Sequence, residues 1–332
     1  MDDLFTDALR QLLADQCTPQ LIRDIELGQP ADPLWQQLEA SGFADALLSE
    51  EQGGAGLKLS AIFPLMELCG TYAVPVPLAE TMLARALLAR AGLEPPKGSI
   101  TFALDALHAD GAVVCKQVPS GRVADWVLLD AGDACLLLPR TSATMQPAVF
   151  ALDAALSWNA HAVANAQRLV GRHDLRTIHA CICAAQLSGT LMGVFTRTLQ
   201  FANDRNQFGR PIGKFQAIQH QLSVISEHTF AARMAAQIGC HCAHATPDRL
   251  RVAVAKARTS EAALEVASLS HSIHGAIGFT QAFDLQLYTR RLHAWRQTAG
   301  SESYWHTVLG EELVDHCDGL ALDLVRATSD MD

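Results

Sequence analysis

Residues 201–219, FANDRNQFGRPIGKFQAIQ, break a long helical pattern with a compact loop, and any fold for this chain must join two helices across it. Before the loop, Ala184, Leu187, Leu191, Val194, Phe195, Leu199 and Phe201 recur near helical spacing. After it, Ile218, Leu222, Ile225 and Met234 resume the same period. Arg205, Gln207, Phe208, Gly209, Pro211 and Gly213 crowd into the turn between, which projects a permanent cation at Arg205. Read from the residues alone, Arg205 either caps the carbonyls at the end of the preceding helix or binds an anion.

The wording of the turn adds a second line of argument. RNQFGRPIGKFQAIQ resembles the R-x-x-FG-x-P-I-x-x-F-Q turn of the acyl-CoA dehydrogenase family, flavoproteins that oxidise acyl thioesters between Cα and Cβ. The resemblance implies that Arg205 and Gln216, with Gln207 and Phe208 between them, bind the FAD diphosphate and neighbouring parts of the cofactor across a subunit interface. It also implies a mainly α fold with a small central β domain: an N-terminal helical domain over 1–98, an abbreviated β domain over 99–164, and a C-terminal four-helix bundle over 165–332.

Composition agrees with packed helices: 49% of the 332 residues are hydrophobic and only 6% aromatic. The net charge of −10, with no run of five basic residues, leaves no electrostatic footprint for nucleic acid. An anionic acyl-CoA remains admissible at a local basic patch. Nine cysteines are scattered along the chain. Cys181 and Cys183, and Cys240 and Cys242, are C-x-C pairs with His241 and His244 nearby, but they lack zinc spacing and lie in Ala-rich helical sequence. Buried, reduced thiols and no metal are expected. The acidic start MDDLFTDALR and the absence of eighteen consecutive apolar residues point to a soluble, cytoplasmic protein with no membrane segment.

In chain order, residues 4–28 read as one amphipathic helix, and 32–43 as another with Asp32 as N-cap, Pro33 in the first turn and Gly42 as stop. GGAG at 53–56 follows no strand and reads as a connection rather than a phosphate cradle. Two further helices are separated at Pro75 and Pro77. SITFAL, AVVCKQV, DWVLLDA and DACLLLP are strand-like runs, with weakly marked strands after them. GRVADWVLLDA resembles a strand of the family's β domain, but the T-E-x-x-x-G-S-D stretch that touches the flavin ring in the family is absent. From about 165 onward the pattern is helical, and Arg249, Arg251, Lys256 and Arg258 form a helical face read as solvated, or as a surface for an acidic partner or CoA phosphates.

Two further motifs carry chemistry. Ser272, Ile273, His274, Gly275, Ala276, Ile277 and Gly278 form a Gly-containing helix end that resembles the family's Q-x-x-G-G-x-G turn, whose backbone approaches FAD. The Gln is here Ser272 and the second Gly is Ala276. Many members place the Glu that removes the α-proton 24 residues beyond the first Gly of that turn; counting from Gly275 reaches Ala299, followed by Gly300, Ser301 and Glu302. An alanine cannot abstract a proton. Other members carry the base 26 residues ahead of the Arg, where this chain has His179. His179 and Glu302 are therefore the residual candidates for a base.

The resemblance thus implies a division of labour. This chain would be the shorter subunit of a heteromeric, α2β2-type acyl-CoA dehydrogenase acting on a steroid-type or other bulky acyl-CoA. It would lend Arg205, Gln207, Phe208, Gln216, Ser272, His274, Gly275, Ala276 and Ser301 to an FAD shared with a full-length partner that supplies the Glu, with an electron-transfer flavoprotein as acceptor. The alternatives are a self-sufficient homo-oligomeric flavoenzyme using His179 or Glu302, and a flavin-free structural or regulatory subunit.

Overall fold

A computed structural model describes residues 2–242, 246–316 and 319–330, so His244 and Cys317 lie outside the described residues. The chain divides into two compact units, 1–65 with 74–179 and 66–73 with 180–332.

The first unit opens with helices α1 (Asp2–Gln16) and α2 (Pro19–Glu26), where one helix over 4–28 was expected. Thr18 explains the break: its hydroxyl caps Leu21 N–H and Pro19 starts the new helix, a position where its missing N–H costs nothing. In α3 (Asp32–Ala40), Ala31 holds the N-cap position and Asp32 is the first helical residue, one position later than the sequence reading gave it. Helix α4 (Leu59–Thr71) begins in this unit, and α5 (Leu78–Arg90) follows the Pro75–Pro77 break. Arg85 of α5 is buried and bonds Glu39, Asp45 at 2.8 Å and the Gly98 carbonyl at 3.0 Å, so its charge is compensated inside the unit.

Eight strands follow where the sequence marks four clearly. Strands β1 (Ile100–Ala103), β2 (Leu107–Ala109), β3 (Ala112–Val118), β4 (Trp126–Asp130), β5 (Ala134–Pro139), β6 (Thr144–Pro147), β7 (Ala154–Trp158) and β8 (Gln167–Val170) make two four-stranded sheets, ordered β1-β4-β5-β8 and β2-β3-β7-β6. β1 and β4 are parallel, and the other pairings are antiparallel. A core that includes Val113, Cys115, Val127, Leu136, Leu156 and Trp158 draws side chains from both sheets. Of the four weaker strands, β6, β7 and β8 are the weakly marked ones expected after DACLLLP and β2 is additional; β2 and β6 are exposed edge strands, while β7 and β8 flank a short helix, α6 (Ala160–Ala164). Because β8 lies at 167–170, helical structure resumes only at Leu175, not near 165.

The long helix α7 (Leu175–Asp204, 30 residues) carries the chain into the second unit. It is long and apolar enough to cross a membrane by length and composition, yet 89% of its most apolar window is buried in the protein, as expected of a core helix. The hairpin strands β9 (Asn206–Gln207) and β10 (Arg210–Pro211) then lead to α8 (Gln216–Cys240), α9 (Arg249–His274), α10 (Leu285–Gln297), α11 (Glu302–Glu311) and α12 (Ala321–Ser329).

Two contacts fix this bundle. The end of α4 crosses α7 with backbones touching: a Cβ on Gly70 would stand 1.8 Å from the Gln186 carbonyl oxygen, and one on Gly189 would stand 1.8 Å from that of Glu67. Thr190 Oγ1 donates to Gly70 O at 2.9 Å across the crossing, and Thr71 Oγ1 to Gly189 O at 3.3 Å. Glu67, one turn earlier, accepts two hydrogen bonds from Arg233 of α8, at 2.6 and 3.1 Å, which adds the third helix.

The second contact corrects the reading of the basic face on α9. Lys256 is fully buried rather than solvated, and its ammonium donates to Ser260 Oγ at 3.1 Å and to the carbonyls of Arg296 and Gly300, each at 2.8 Å. Of the others, Arg249 bonds Tyr304 Oη at 3.0 Å, Arg251 bonds the Asp330 carbonyl at 2.6 Å, and Arg258 meets His228 at 3.2 Å. Burial pushes the Lys256 pKa down to about 8 from 10.5, against the attraction of neighbouring acidic groups.

A Gly→Ala change inside an ordinary exposed helix gains about 1 kcal/mol. At Gly189 the sign should reverse: Gly189→Ala is expected to lose at least about 3 kcal/mol, because neither backbone can move aside. Denaturant unfolding measures this, and a stabilised variant would refute the crossing.

For Lys256 the folded pKa lies below the unfolded one, so the cost of burying the charge is fully present below pH 8. As pH rises from 8 to 10.5 the folded state releases its proton first, the unfolded state binds more protons, and stability rises. The stability difference between wild type and Lys256→Met should therefore shift toward the wild type over that window, by up to about 3 kcal/mol. Urea titrations at a series of pH values would show it, and a flat difference would contradict the shifted lysine.

Candidate functional site

The turn that opened the sequence reading is a two-residue hairpin. β9 and β10 pair with Gln207 opposite Arg210, and the two residues between them, Phe208 and Gly209, have φ of +51° and +80°. Positive φ at both central positions matches the twist of a tight hairpin, and Gly209 adopts it freely. Phe208 does not: a bulky aromatic in the left-handed region carries strain of about 1–2 kcal/mol. Its ring is also 91% exposed, touching Phe215 edge-on at 6.1 Å. Strain combined with an exposed apolar ring on a loop tip makes this position a candidate for function.

Below the hairpin lies a cleft of about 400 Å³. Its walls are Phe201 at the end of α7, Ile212, Phe215 and Ile218 around the start of α8, and Ile273 with His274 at the end of α9; Arg205, Gln207 and Phe208 stand at its rim. Arg205 is exposed and forms no ion pair among the described residues. Its backbone is fixed at both ends, N–H to the Phe201 carbonyl at 2.9 Å and carbonyl to Ile212 N–H at 2.8 Å. The arrangement supplies a cation, an amide and aromatic surfaces within one concavity, which suits a flat ligand carrying an anionic group.

His274 forms part of the floor. It is only 5% exposed, its ring stacks on Phe201 at 4.2 Å and 24°, and Phe283 lies 5.1 Å away. Nδ1 bonds the Ser270 carbonyl at 2.7 Å. Burial lowers its pKa, and the Ser270 bond only partly opposes this. Next to it, Gly275 has φ of +65° with ψ of −150°, a combination essentially confined to glycine, and it ends α9.

Of the residues singled out from sequence, Arg205, Gln207, Phe208 and His274 come together on this cleft. Gln216 is the exposed first residue of α8 and does not line it. Ser272, Gly275 and Ala276 are exposed on the α9 end and the one-turn helix after it. Ser301 sits elsewhere, as N-cap residue of α11. Phe201, Ile212, Phe215, Ile218 and Ile273 were not foreseen as site residues. Phe201 and Ile218 satisfy the helical period that normally means core, and sequence spacing does not say that a helix end faces a cleft.

The positions considered for a base are occupied as follows. Ala299 is 7% exposed in the left-handed region, φ +58°, and its carbonyl accepts from Trp305 Nε1 at 3.1 Å. Glu302, the first residue of α11, is paired with Arg296. Burial alone would raise its pKa, but its own backbone N–H, Arg296 and Lys256 outweigh that and hold the carboxyl below its ordinary value. His179 belongs to the first unit, 1% exposed, with Nε2 3.9 Å from Glu80 and its ring edge-on to Phe102 at 5.4 Å.

Among the described residues, which leave out His244, no group of three or more His, Cys, Asp or Glu converges. Cys181 and Cys240 lie Sγ to Sγ at 3.5 Å, both fully buried. The contact with Cys181, together with burial, keeps the Cys240 thiol protonated.

Comparison with known proteins gives this geometry its context. The model of the acyl-CoA dehydrogenase C-terminal domain matches residues 177–313, which include the hairpin, the cleft and the Ala299 turn. Acyl-CoA dehydrogenase IpdE2 of Mycolicibacterium smegmatis is 31% identical over 306 residues, covering 90% of this chain and 94% of that protein. Among solved structures, the ChsE4-ChsE5 complex from Mycobacterium tuberculosis includes a chain that superposes with a TM-score of 0.84 at 22% identity, covering 95% of this chain and 98% of that one. A chain of the Tcur3481-Tcur3483 steroid ACAD superposes at 0.81 with 24% identity, again over 95% and 98%. With a relative of that identity aligned over nearly its whole length, and the matched segment carrying the hairpin and cleft, the chain belongs to the acyl-CoA dehydrogenase family.

Proposed function

We propose that this chain is the shorter subunit of a heteromeric FAD-dependent acyl-CoA dehydrogenase, contributing cofactor-binding residues to a site whose base comes from a full-length partner. The observation that carries the reading is a contrast within the second unit. The cleft presents Arg205, Gln207, Phe208 and His274 together, whereas the family's base position is Ala299, enclosed by Trp305 and the Lys256 network.

The residues fit the cofactor's adenosine diphosphate half. The exposed Arg205 guanidinium suits a diphosphate through charge-assisted hydrogen bonds, and Gln207 adds an amide beside it. Phe208, held in a strained conformation with its ring in solvent, is presented for contact with a ligand or a neighbouring subunit. Gln216, Ser272, Gly275, Ala276 and Ser301 would add polar and backbone contacts from their exposed or half-buried positions. When bound, FAD supplies the two-electron acceptor for α,β-desaturation of an acyl thioester.

None of the three positions considered for a base suits a proton acceptor. Ala299 has no basic atom, Glu302 is committed to Arg296 with a lowered pKa, and His179 is buried beside Glu80. Removal of the α-proton is therefore assigned to the partner's carboxylate. The name of one structural neighbour contains a steroid and the other describes a two-protein complex, which supports a bulky, steroid-type acyl-CoA and an α2β2 assembly here. Electron-transfer flavoprotein as acceptor and a cytoplasmic location complete the reading.

The test compares the visible spectrum and native mass of the chain purified alone and co-expressed with a full-length dehydrogenase subunit. Flavin and a defined hetero-oligomer are expected only on co-expression. In that complex Arg205→Ala should lower flavin content at least about tenfold while leaving assembly intact. Normal flavin in the variant would remove Arg205 from the cofactor site, and a lone chain that is yellow and oxidises acyl-CoA would show a self-sufficient enzyme.

A further inference from the structure

We infer that α12, with the turn before it, is a docking face for the full-length partner subunit, which meets it with an apolar groove rimmed by Lys and Arg. The inference rests on the heteromeric reading above and names a surface of this chain for it.

Helix α12 is amphipathic, and the rest of its unit covers only one edge of its apolar stripe. Ala321, Leu324, Val325 and Thr328 recur at helical spacing, and Leu322 widens the same face. The helix packs on α9, and the carbonyl of its C-cap residue Asp330 accepts from Arg251 at 2.6 Å. Thr328 is buried and Leu324 half-buried. The other edge is open among the described residues: Val325 is 55% exposed, Leu322 52%, and Leu320, just before the helix, 74%. A helix of nine residues is marginal in water by itself, and most helical stability comes from covering the apolar face. α12 also lies outside residues 177–313, the segment that matches the family's domain.

Charge selects the occupant. Residues 311–332 carry seven acidic side chains and one basic, Arg326. Glu311 and Asp315 before the helix and Asp323 on it are exposed. An anionic membrane surface or a nucleic acid is repelled by such a face. A second copy of this chain in a two-fold contact would set the same acids opposite themselves, where like charges oppose association. A different protein with an apolar centre and a cationic rim is favoured on both counts: covering Leu322 and Val325 supplies affinity, and the rim fixes orientation. In the heteromeric reading the protein that binds this chain is the full-length subunit, so the complementary groove is assigned to it. The face is small beside a standard interface, so it acts as one grip within a larger contact.

The test is stepwise dilution of the co-expressed complex, with its dissociation constant read by sedimentation at low and at high salt. Leu322→Asp combined with Val325→Asp should weaken the complex at least about tenfold, while the chain alone keeps its wild-type circular dichroism and melting temperature. Glu311→Lys combined with Asp315→Lys should weaken it about tenfold at low salt and by less at high salt, because the rim contacts are screened. This second pair replaces exposed side chains outside α12, so the charge arm stands even if the apolar variant loses the helix. The inference is overturned if the apolar variant dissociates like wild type, or if the charge reversal has no effect or one that salt does not relieve. Either result leaves the heteromeric enzyme in place. Dimerisation of the chain alone that is abolished by Leu322→Asp with Val325→Asp would give the face to a second copy and overturn the inference too. A wild-type chain that forms no complex on co-expression sinks the heteromeric reading itself, and the docking face with it.

Discussion

The second unit depends on two glycines, each set against the backbone of the opposing helix. Where Gly70 meets the Gln186 backbone and Gly189 meets that of Glu67, α4 and α7 approach to a distance that no side chain tolerates, and Thr190 donates across the gap. Close approach gives extensive dispersion contact and shields the crossing from water. It also leaves α7 no freedom to slide, because a shift of one residue would put Cβ atoms into carbonyl oxygens. Glu67 and Arg233 then index α8 against the same helix pair. A single crossing therefore sets where α7 ends, and the end of α7 is where Phe201 and Arg205 stand.

From that fixed point the site is assembled largely by backbone. The tight hairpin turns α7 into α8 within a few residues, so the side chains of 201, 205, 207 and 208 are delivered to one concavity. The positive φ of Phe208 is the local cost of so short a turn. His274 reaches the same place from α9, and its stack on Phe201 couples the end of that helix to the end of α7. Rigid helix ends converging on a cleft position ligand-binding groups more exactingly than loops do.

The helical class, the turn at 205–213 and the Gly275 helix end were legible because each rests on local chemistry: period, proline and glycine placement, and a run of residue types that is rarely accidental. What was not legible depended on tertiary context. Lys256 carries a charge and was read as solvated, yet three acceptors gathered by α9 and the 296–300 turn receive its ammonium. The edge strands 107–109 and 144–147 are short and exposed, so no alternation of burial marks them. Phe201 and Ile218 obey the helical period whether they face a core or a cleft, and nothing in spacing separates the two.

The Ala299 turn is held in place by groups outside it. Ala299 adopts the left-handed conformation, and Gly300 follows it at φ +104°, although an alanine has no intrinsic reason to be strained there. Trp305 holds the Ala299 carbonyl and Lys256 the carbonyls on either side, so the backbone path is over-determined from outside the turn. Under those restraints exchange of a carboxylate for a methyl group removes chemistry without moving the chain. The scaffold and the cleft can then persist without a proton acceptor at this position, because the restraints on the backbone and the side chain at 299 belong to different residues.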